Sequence, residues 1–333
     1  MKVGLRLISM KDIAEALNVS RTTVSNILNN NKNKSYKKET IERVFSKAKE
    51  MGYTTNNIAV SLKTGKTNSI AIVVPDIAND FYINIIKEVE DLAKKSNLNL
   101  VICITEESIE KENKYLDMLR SQMIDGILIA PVSYERSLHY DYPFKIVCFD
   151  RTTYSNKYPY VAINNFQSAK QLTLKLLNNN YQKPLFLAGS REDITNIYRL
   201  EGYKEALREK DIKYNTENII FDIYDENSAL KKLNTYFNNN TKFCDSIFLS
   251  SNYSIYGVLK SLKINNLNNL PLGGFESFKG YEFLKNKIYT AKQPDKQIAR
   301  YAFDKLVRLL NDKQVVNSTL KTNITSNYNL MEN

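Results

Sequence analysis

The 333-residue sequence predicts an α/β fold: a small helix–turn–helix headpiece, a linker helix, and a two-lobed core of parallel sheets. Three observations predict it. Three short helical patterns precede residue 55; from Ser69 short apolar runs alternate with longer amphipathic segments; and the same alternation restarts after Ile163. The expected organisation is a headpiece over 1–55, a hinge over 56–67 and a core over 68–333. Within that core the first lobe is expected over about 68–162 and 292–325, and the second over about 163–291.

The first helical pattern, "KDIAEALN", sets Ile13, Ala14 and Leu17 on one side, and the second, "SRTTVSNILN", does the same with Val24, Ile27 and Leu28. Asn18 stands at the corner between them, where a left-handed backbone is needed, and Asn tolerates it best after Gly. Ser20 is placed to cap the second helix through the amide of Thr22 or Thr23. A third helix, about Lys38 to Met51, shows Ile41, Val44, Phe45, Ala48 and Met51 on one face and is stopped by Gly52. The polar stretch "TTNNIAVSLKTGKTNS" then carries a short helical patch, Ile58 to Lys63, too short to be stable alone.

In the first lobe, "SIAIVV", "LNLVICI", "DGILIAP" and "FKIVCFD" read as strands between helices at Phe81 to Lys95 and Ile109 to Gln122. In the second, "PLFLAG", "NIIFDI", "DSIFLSS" and "PLGGF" alternate with helices at Phe166–Leu177, Asn196–Glu209, Asn227–Phe237 and Ile255–Leu262. The stretch "IYTAKQP" and a helix from Lys296 to Leu310 are expected to return to the first lobe, making a multi-stranded, hinge-like connection.

Charge is distributed unevenly along this frame. Residues 1–67 hold 13 Lys/Arg against 5 Asp/Glu, or +8 of the total +11, so the basic excess belongs to the headpiece and points to a polyanion partner. Cys103, Cys148 and Cys244 each sit in a β-branched or aromatic run, as buried free thiols do. The single histidine, His139, has no Cys/His cluster around it, so neither a metal site nor a cofactor is expected. No apolar run approaches the length of a membrane span or an export signal, and a cytoplasmic protein with no membrane partner is expected.

Lys11 to Asn30 meets the demands of a helix–turn–helix: small Ala14 at the helix contact, Asn18 at the corner, apolar Val24 and Ile27. The outward residues of the second helix, Arg21, Thr22, Ser25, Asn26 and Asn29, are of the types that bond base edges and phosphates.

These residues also resemble a family. "MKDIAEALNVSRTTVSNILNN", "TIERVFSKAKEMGY" and "NNIAVSLKTGKTNSIAIVVPDIANDFY" resemble the LacI/GalR bacterial transcriptional repressors, and "EKENKYLDML", "DGILIAP", "CFDR", "RLEGYKEAL", "SSN", "GGFE" and "AKQP" follow in the same order. The resemblance implies a homodimer on a pseudo-palindromic operator in double-stranded DNA. It implies DNA contacts from Ser20, Arg21, Thr22, Ser25, Asn26 and Asn29, with Arg21 and Thr22 reading bases, and minor-groove contacts from Ala59, Leu62 and Lys63, with Leu62 as the wedge. It further implies a periplasmic-binding-protein-like core whose small sugar-like effector is held between the lobes by Phe81, Tyr82, Asp150, Arg199, Asn252 and Glu276. Carboxylates and Arg suit vicinal hydroxyls, and an aromatic face suits the C–H side of a sugar ring.

The sequence departs from the family at Asn18, where Gly is usual, and at Asn26, where Arg is common. It departs again in the longer loop Asn30 to Lys37, and at Tyr253 and Glu276, where Asp is common. Three readings stay open at this point. The first is an allosteric repressor answering to a sugar; the second is a catabolite regulator answering to a phosphocarrier protein; the third is a sugar-binding or sugar-processing protein without DNA function. No G-x-S-x-G, P-loop, G-x-G-x-x-G or H-E-x-x-H occurs, and Asp150 with Glu276 is the one carboxylate pair available for acid/base work, so a non-enzyme is expected.

Overall fold

The computed structural model describes residues 8–28, 35–53, 65–77, 79–132, 145–153, 158–239, 244–251, 254–275 and 281–326. The chain divides into two compact units, Met1–Thr67 and Asn68–Asn333.

The first unit holds three helices, α1 (Met10–Leu17), α2 (Arg21–Leu28) and α3 (Lys38–Glu50), closed around Ile13, Ala14, Val24, Ile27, Val44 and Ala48. Helix α1 begins on a reciprocal cap: the Ser9 amide donates to Asp12 Oδ2 at 2.7 Å, and the Ser9 hydroxyl accepts from the Asp12 amide at 3.4 Å. Asn18 ends it in the left-handed region, φ 53 and ψ 46, as the corner requires. Phe45 departs from expectation. It lies at the edge of the α3 apolar face and is 50% exposed, because Val44 and Ala48 already fill the small core.

The second unit contains two six-stranded sheets. The first has the order β11-β5-β4-β3-β1-β2, from β1 (Ser69–Val74), β2 (Asn99–Ile104), β3 (Gly126–Ile129), β4 (Lys145–Phe149), β5 (Tyr160–Ile163) and β11 (Ser318–Leu320). The second has the order β12-β10-β9-β8-β6-β7, from β6 (Pro184–Leu187), β7 (Ile219–Ile220), β8 (Ser246–Leu249), β9 (Leu272–Phe275), β10 (Ile288–Lys292) and β12 (Asn323–Ser326). All pairings are parallel except β10 with β12. Two lobes thus repeat one strand order, each with an extra edge strand from the C-terminal segment.

Both sheets are covered on two faces, which is why their strands are near-continuous apolar runs. Ile70, Ile72 and Val74 of β1 face one cluster, while Ala71 and Val73 face another. The first cluster is continuous across the two lobes. It joins helices α4 (Asp80–Lys95), α6 (Asn165–Leu177), α7 (Ile194–Glu209) and α10 (Asp295–Leu310) to Phe186, Phe248, Phe275 and Tyr289 of the second sheet. Helix α5 (Ile109–Ser121) covers the other face of the first sheet, and α8 (Glu226–Asn239) and α9 (Ile255–Ile264) cover the other face of the second.

The chain passes between lobes three times: from β5 to α6, from β10 to α10, and from β11 to β12. Helix α10 packs on α4, where Arg300 Nε donates to Glu88 at 2.7 Å and Asn84 donates to Asp295 at 2.8 Å. The expectation that "IYTAKQP" and the C-terminal segment return to the first lobe needs correction in two places. "IYTAK" stays in the second sheet as β10, because Ile288–Ala291 pair with Leu272–Phe275, and β12 goes back to that sheet after β11. The crossings are tied together: the Asn164 amide donates to the Leu320 carbonyl at 3.1 Å, and the Thr322 hydroxyl to Ser168 Oγ at 2.8 Å.

Candidate DNA-binding face and effector cleft

The exposed side of α2 follows from what α2 buries. Val24 and Ile27 take the inner positions, so Arg21 and Thr22 are exposed and Ser25 and Asn26 are half-buried on the same side. The Ser20 hydroxyl accepts from the Thr23 amide at 3.0 Å and lies 2.8 Å from the Thr23 hydroxyl, so it caps the helix. Asn26 is held from another segment: its Nδ2 donates to the Tyr36 hydroxyl at 2.9 Å. Tyr36 gives no helical or motif signal in the sequence, and the contact spans the loop that departs from the family pattern. Asn29, Ala59, Leu62 and Lys63 lie outside the described residues.

In the core the polar groups gather where strands end. In open parallel sheets a ligand crevice forms beyond the carboxyl ends of the strands. Asp150 and Arg151 follow β4, Glu107 follows β2, Asp193 follows β6, and Ser250 follows β8. Arg151 of the first lobe brings its guanidinium within 4.0 Å of the Asp193 carboxylate of the second, so the two sets of strand ends face each other.

A tight turn builds the first-lobe side. The Arg151 amide donates to the Phe149 carbonyl at 2.7 Å, with Asp150 between them at φ 63, a strained γ-type turn that Asp accepts more readily than most residues. Asp150 is 8% exposed and accepts from the Tyr82 hydroxyl at 2.6 Å. Burial pushes its carboxyl above the ordinary 3.8, against the pull of Arg151, the Tyr82 hydroxyl and Arg199. Burial likewise pushes the Tyr82 phenol well up, which keeps it a donor. Phe81 sits edge-on to Tyr82 at 5.1 Å within the buried cluster. Arg151 forms a two-pronged bond with Glu107 at 2.8 and 2.7 Å.

The second-lobe side is organised around Arg199, 4% exposed. Its guanidinium lies flat on Phe275 at 3.6 Å, its Nε donates to Asn165 Oδ1 at 2.8 Å, and its Nη1 donates to the Ser250 carbonyl. The Ser250 hydroxyl in turn donates to Asn196 at 2.5 Å. Two buried hydroxyls near this network, Thr195 Oγ1 and Ser251 Oγ, have no partner among the described residues. Asn252 and Glu276 lie outside the described residues. Sequence reasoning singled out neither Arg151 nor Phe275, although they stand in "CFDR" and "GGFE", and Glu107, Asn165, Asp193 and Asn196 carry no local signal, being assembled by topology alone.

Comparison with known proteins identifies the chain. The family model described as "Bacterial regulatory proteins, lacI family" matches residues 9–56, and that described as "Periplasmic binding protein domain" matches residues 70–314. The chain belongs to the lacI family of bacterial regulatory proteins. This lacI-family regulator is 29% identical over 315 residues to the HTH-type transcriptional regulator RegA of Clostridium saccharobutylicum, covering 92% of this chain and 94% of the relative. It is 27% identical to the ribose operon repressor of Halalkalibacterium halodurans over 92% of this chain and 91% of that one. Catabolite control protein A of Priestia megaterium is 24% identical, over 94% and 95% of the two chains. Among solved structures, the Lac repressor bound to ONPG superposes with a TM-score of 0.80 over 96% of this chain and 98% of that one at 17% identity, which shows the shared fold. The lacI-family regulator is therefore a DNA-binding transcriptional regulator and not an enzyme. No helix among the described residues is long and apolar enough to cross a membrane.

Proposed function

We propose that this regulator is a homodimeric, cytoplasmic repressor whose affinity for a pseudo-palindromic operator is set by a small sugar-like effector bound between the core lobes. The observation that carries the reading is the approach of Arg151 to Asp193, which puts the carboxyl ends of both sheets around one crevice. Into that crevice the first lobe supplies Asp150, held by Tyr82, and the second supplies Arg199, backed by Phe275. A carboxylate and a guanidinium on opposite walls suit a polyhydroxylated ligand, which offers donors to one and acceptors to the other. Phe81, Asn252 and Glu276 complete the set proposed for the effector.

On the DNA side, Arg21 and Thr22 are the base readers, with Ser20, Ser25, Asn26 and Asn29 contacting bases or phosphates and Ala59, Leu62 and Lys63 serving the minor groove. The exposure of Arg21 and Thr22 on a helix whose other face closes the headpiece core supports this assignment. Relatives named for the ribose and sucrose operons support a sugar as effector, and a relative named catabolite control protein A supports a second reading, a regulator that answers to a phosphocarrier protein.

A thermal-shift screen of the full chain against sugars, sugar phosphates and nucleobases tests the effector reading, since a ligand that binds only the folded state raises the melting temperature. A sugar or sugar phosphate should raise it. A rise with nucleobases alone would overturn the sugar assignment, and capture of a phosphocarrier protein with no sugar response would favour the second reading. Arg21→Ala should weaken binding to a selected operator by about 1–3 kcal/mol and relax preference at one base pair. An equal loss over all sequences would make Arg21 a phosphate contact.

A further inference from the structure

The turn after β2 uses residues that its backbone does not favour. Thr105 to Ser108 closes through the Ser108 amide, which donates to the Thr105 carbonyl at 3.0 Å, and both central residues lie in the left-handed region, Glu106 at φ 51 and Glu107 at φ 57. Gly or Asn ordinarily fills such positions, and two glutamates there are strained. Strain of this kind persists where the surrounding structure holds it, and it gathers at binding sites. What the turn delivers is the Glu107 carboxylate, set against the Arg151 guanidinium.

Arg151 is thereby ringed by acid. Its Nη1 and Nη2 donate to Glu107 at 2.8 and 2.7 Å, Asp150 Oδ2 lies 4.0 Å from its Nε, and Asp193 Oδ2 of the second lobe lies 4.0 Å from its Nη2. The Arg151 and Asp193 side chains are only 11% and 12% exposed, so solvent screens these charges weakly. Arg199 belongs to the same field. Burial raises the Asp150 carboxyl, Arg151 and Arg199 draw it down, and Asp193 pushes it further up, so charges from both lobes act on one group. Three carboxyls here stand against two guanidiniums. Exposed Arg191 and Glu192, in the loop before Asp193, offset each other, and Asp76 at the end of β1 adds to the acidic side.

We infer that Glu107 is a specificity-determining residue: by neutralising Arg151 beside Asp150 and Asp193, it gives the crevice an acidic wall that admits an uncharged sugar and rejects a phosphorylated one. The inference rests on the proposed effector site and names the class of sugar that site takes. A phosphate is gripped by a guanidinium whose fork and charge both face it. Here the Nη1–Nη2 edge of Arg151 holds Glu107, while Nε and Nη2 look towards Asp150 and Asp193. A phosphate monoester brought to this wall meets repulsion from three carboxyls at once. Sugar hydroxyls carry no charge and donate to carboxylate oxygens, so the same wall suits them. The strained pair Glu106–Glu107 is then the means by which the first lobe sets the sign of the charge that a ligand meets.

The test is calorimetric titration of the full-length protein with glucose, fructose, ribose, maltose and cellobiose, each paired with its phosphate monoester. The chains compared are wild type, Glu107→Gln, Glu107→Asp and Asp193→Asn, with melting temperatures alongside. Asn keeps the side-chain oxygen that accepts from the Thr195 amide at 2.7 Å, so Asp193→Asn removes a charge and retains the cap of α7. In wild type a free sugar should bind and its phosphate should bind about tenfold more weakly or worse. Glu107→Gln should narrow that gap by about three- to tenfold, chiefly by tightening the phosphate, and Asp193→Asn should act in the same direction. Glu107→Asp keeps the charge and should hold the gap near wild type, and all four melting temperatures should lie close together. A sugar phosphate that binds wild type as tightly as its parent sugar would overturn the inference and leave the sugar site standing. A gap that Glu107→Gln leaves unchanged, or a loss shared equally by sugar and phosphate, would also overturn it, since Glu107 would then only support the fold. If no member of any pair binds wild type, the sugar reading of the crevice fails and the inference falls with it, a result distinct from preference for the phosphate.

Discussion

The two lobes of the core share one strand order yet are stiffened in different ways. In the second lobe the helix pairs meet at glycine: a Cβ on Gly202 would lie 2.2 Å from the Phe166 carbonyl oxygen, and one on Gly257 would lie 2.1 Å from that of Glu226. In the first lobe the corresponding close approach is at Gly126, where a Cβ would meet the tip of the Leu306 side chain at 2.8 Å. The polar groups follow the same division. Arg199 is clamped by a ring, a side-chain amide and a backbone carbonyl, while Asp150 is held by the Tyr82 phenol with Arg151 at 4.0 Å, and Arg151 bonds the half-exposed Glu107 and stands 4.0 Å from Asp193. The second lobe thus encloses its charged group in close packing and is the anchor of the crevice, whereas the first lobe rests Arg151 on a half-exposed carboxylate.

The largest break in that comparison comes from removing the anchor. Arg199→Ala should cost about 3–5 kcal/mol of unfolding free energy, because Asn165 and the Ser250 carbonyl lose a charged donor in a buried place and Phe275 loses its stacking partner. Denaturant unfolding measures it. A loss below about 1 kcal/mol would show that the clamp is not tight. Next, Gly202→Ala should destabilise by about 1–3 kcal/mol, since backbone has to shift to admit the methyl group, whereas Gly126→Ala should cost less because a leucine tip can rotate away. Equal costs at the two glycines would remove the asymmetry between lobes.

The smallest effect is also the most specific. In the proposed effector site Asp150 accepts from an effector hydroxyl more strongly when ionised than when protonated, and burial holds its folded pKa above the ordinary 3.8. Effector affinity should therefore weaken as pH falls through that raised value. Tyr82→Phe removes a bond that stabilises the carboxylate, so the weakening should begin at a higher pH. The sign for stability runs the other way. A carboxyl whose pKa is raised on folding disfavours the folded state above that pKa, and the penalty is relieved as the group protonates. An acidic limb of the affinity curve that Tyr82→Phe leaves in place would separate Asp150 from effector binding.

Much of this arrangement was legible in the residues. The two turns of α2, the corner at Asn18, the Ser20 cap and the repeated βαβ alternation follow from local spacing and side-chain chemistry, and local rules suffice for them. Cys103, Cys148 and Cys244 are buried free thiols, as their apolar runs imply. Burial pushes the Cys103 thiol up to about 11 and those of Cys148 and Cys244 to about 12, so all three stay protonated. What was missed lies in long-range pairing. Strand β5 is only "YVAI", and β11 and β12 are short segments whose sheet membership depends on which edge is open. Phe45 looked like core because periodicity marks a face and not the width of the core beneath it. The partners of the site residues, Glu107 for Arg151 and Asn165 for Arg199, come from loops and helices many residues away, and no spacing rule connects them.

In the proposed function operator and effector report on one equilibrium, although they bind different compact units of the chain. By linkage, a ligand that changes operator affinity by some factor must have its own affinity changed by the same factor when operator is bound. The direct measurement is the binding of the sugar that raises the melting temperature, titrated into the full-length protein with and without a saturating selected operator duplex. The two titrations should give different affinities whose ratio equals the change that sugar makes in operator affinity. Tight sugar binding with equal affinity in the two titrations would contradict it.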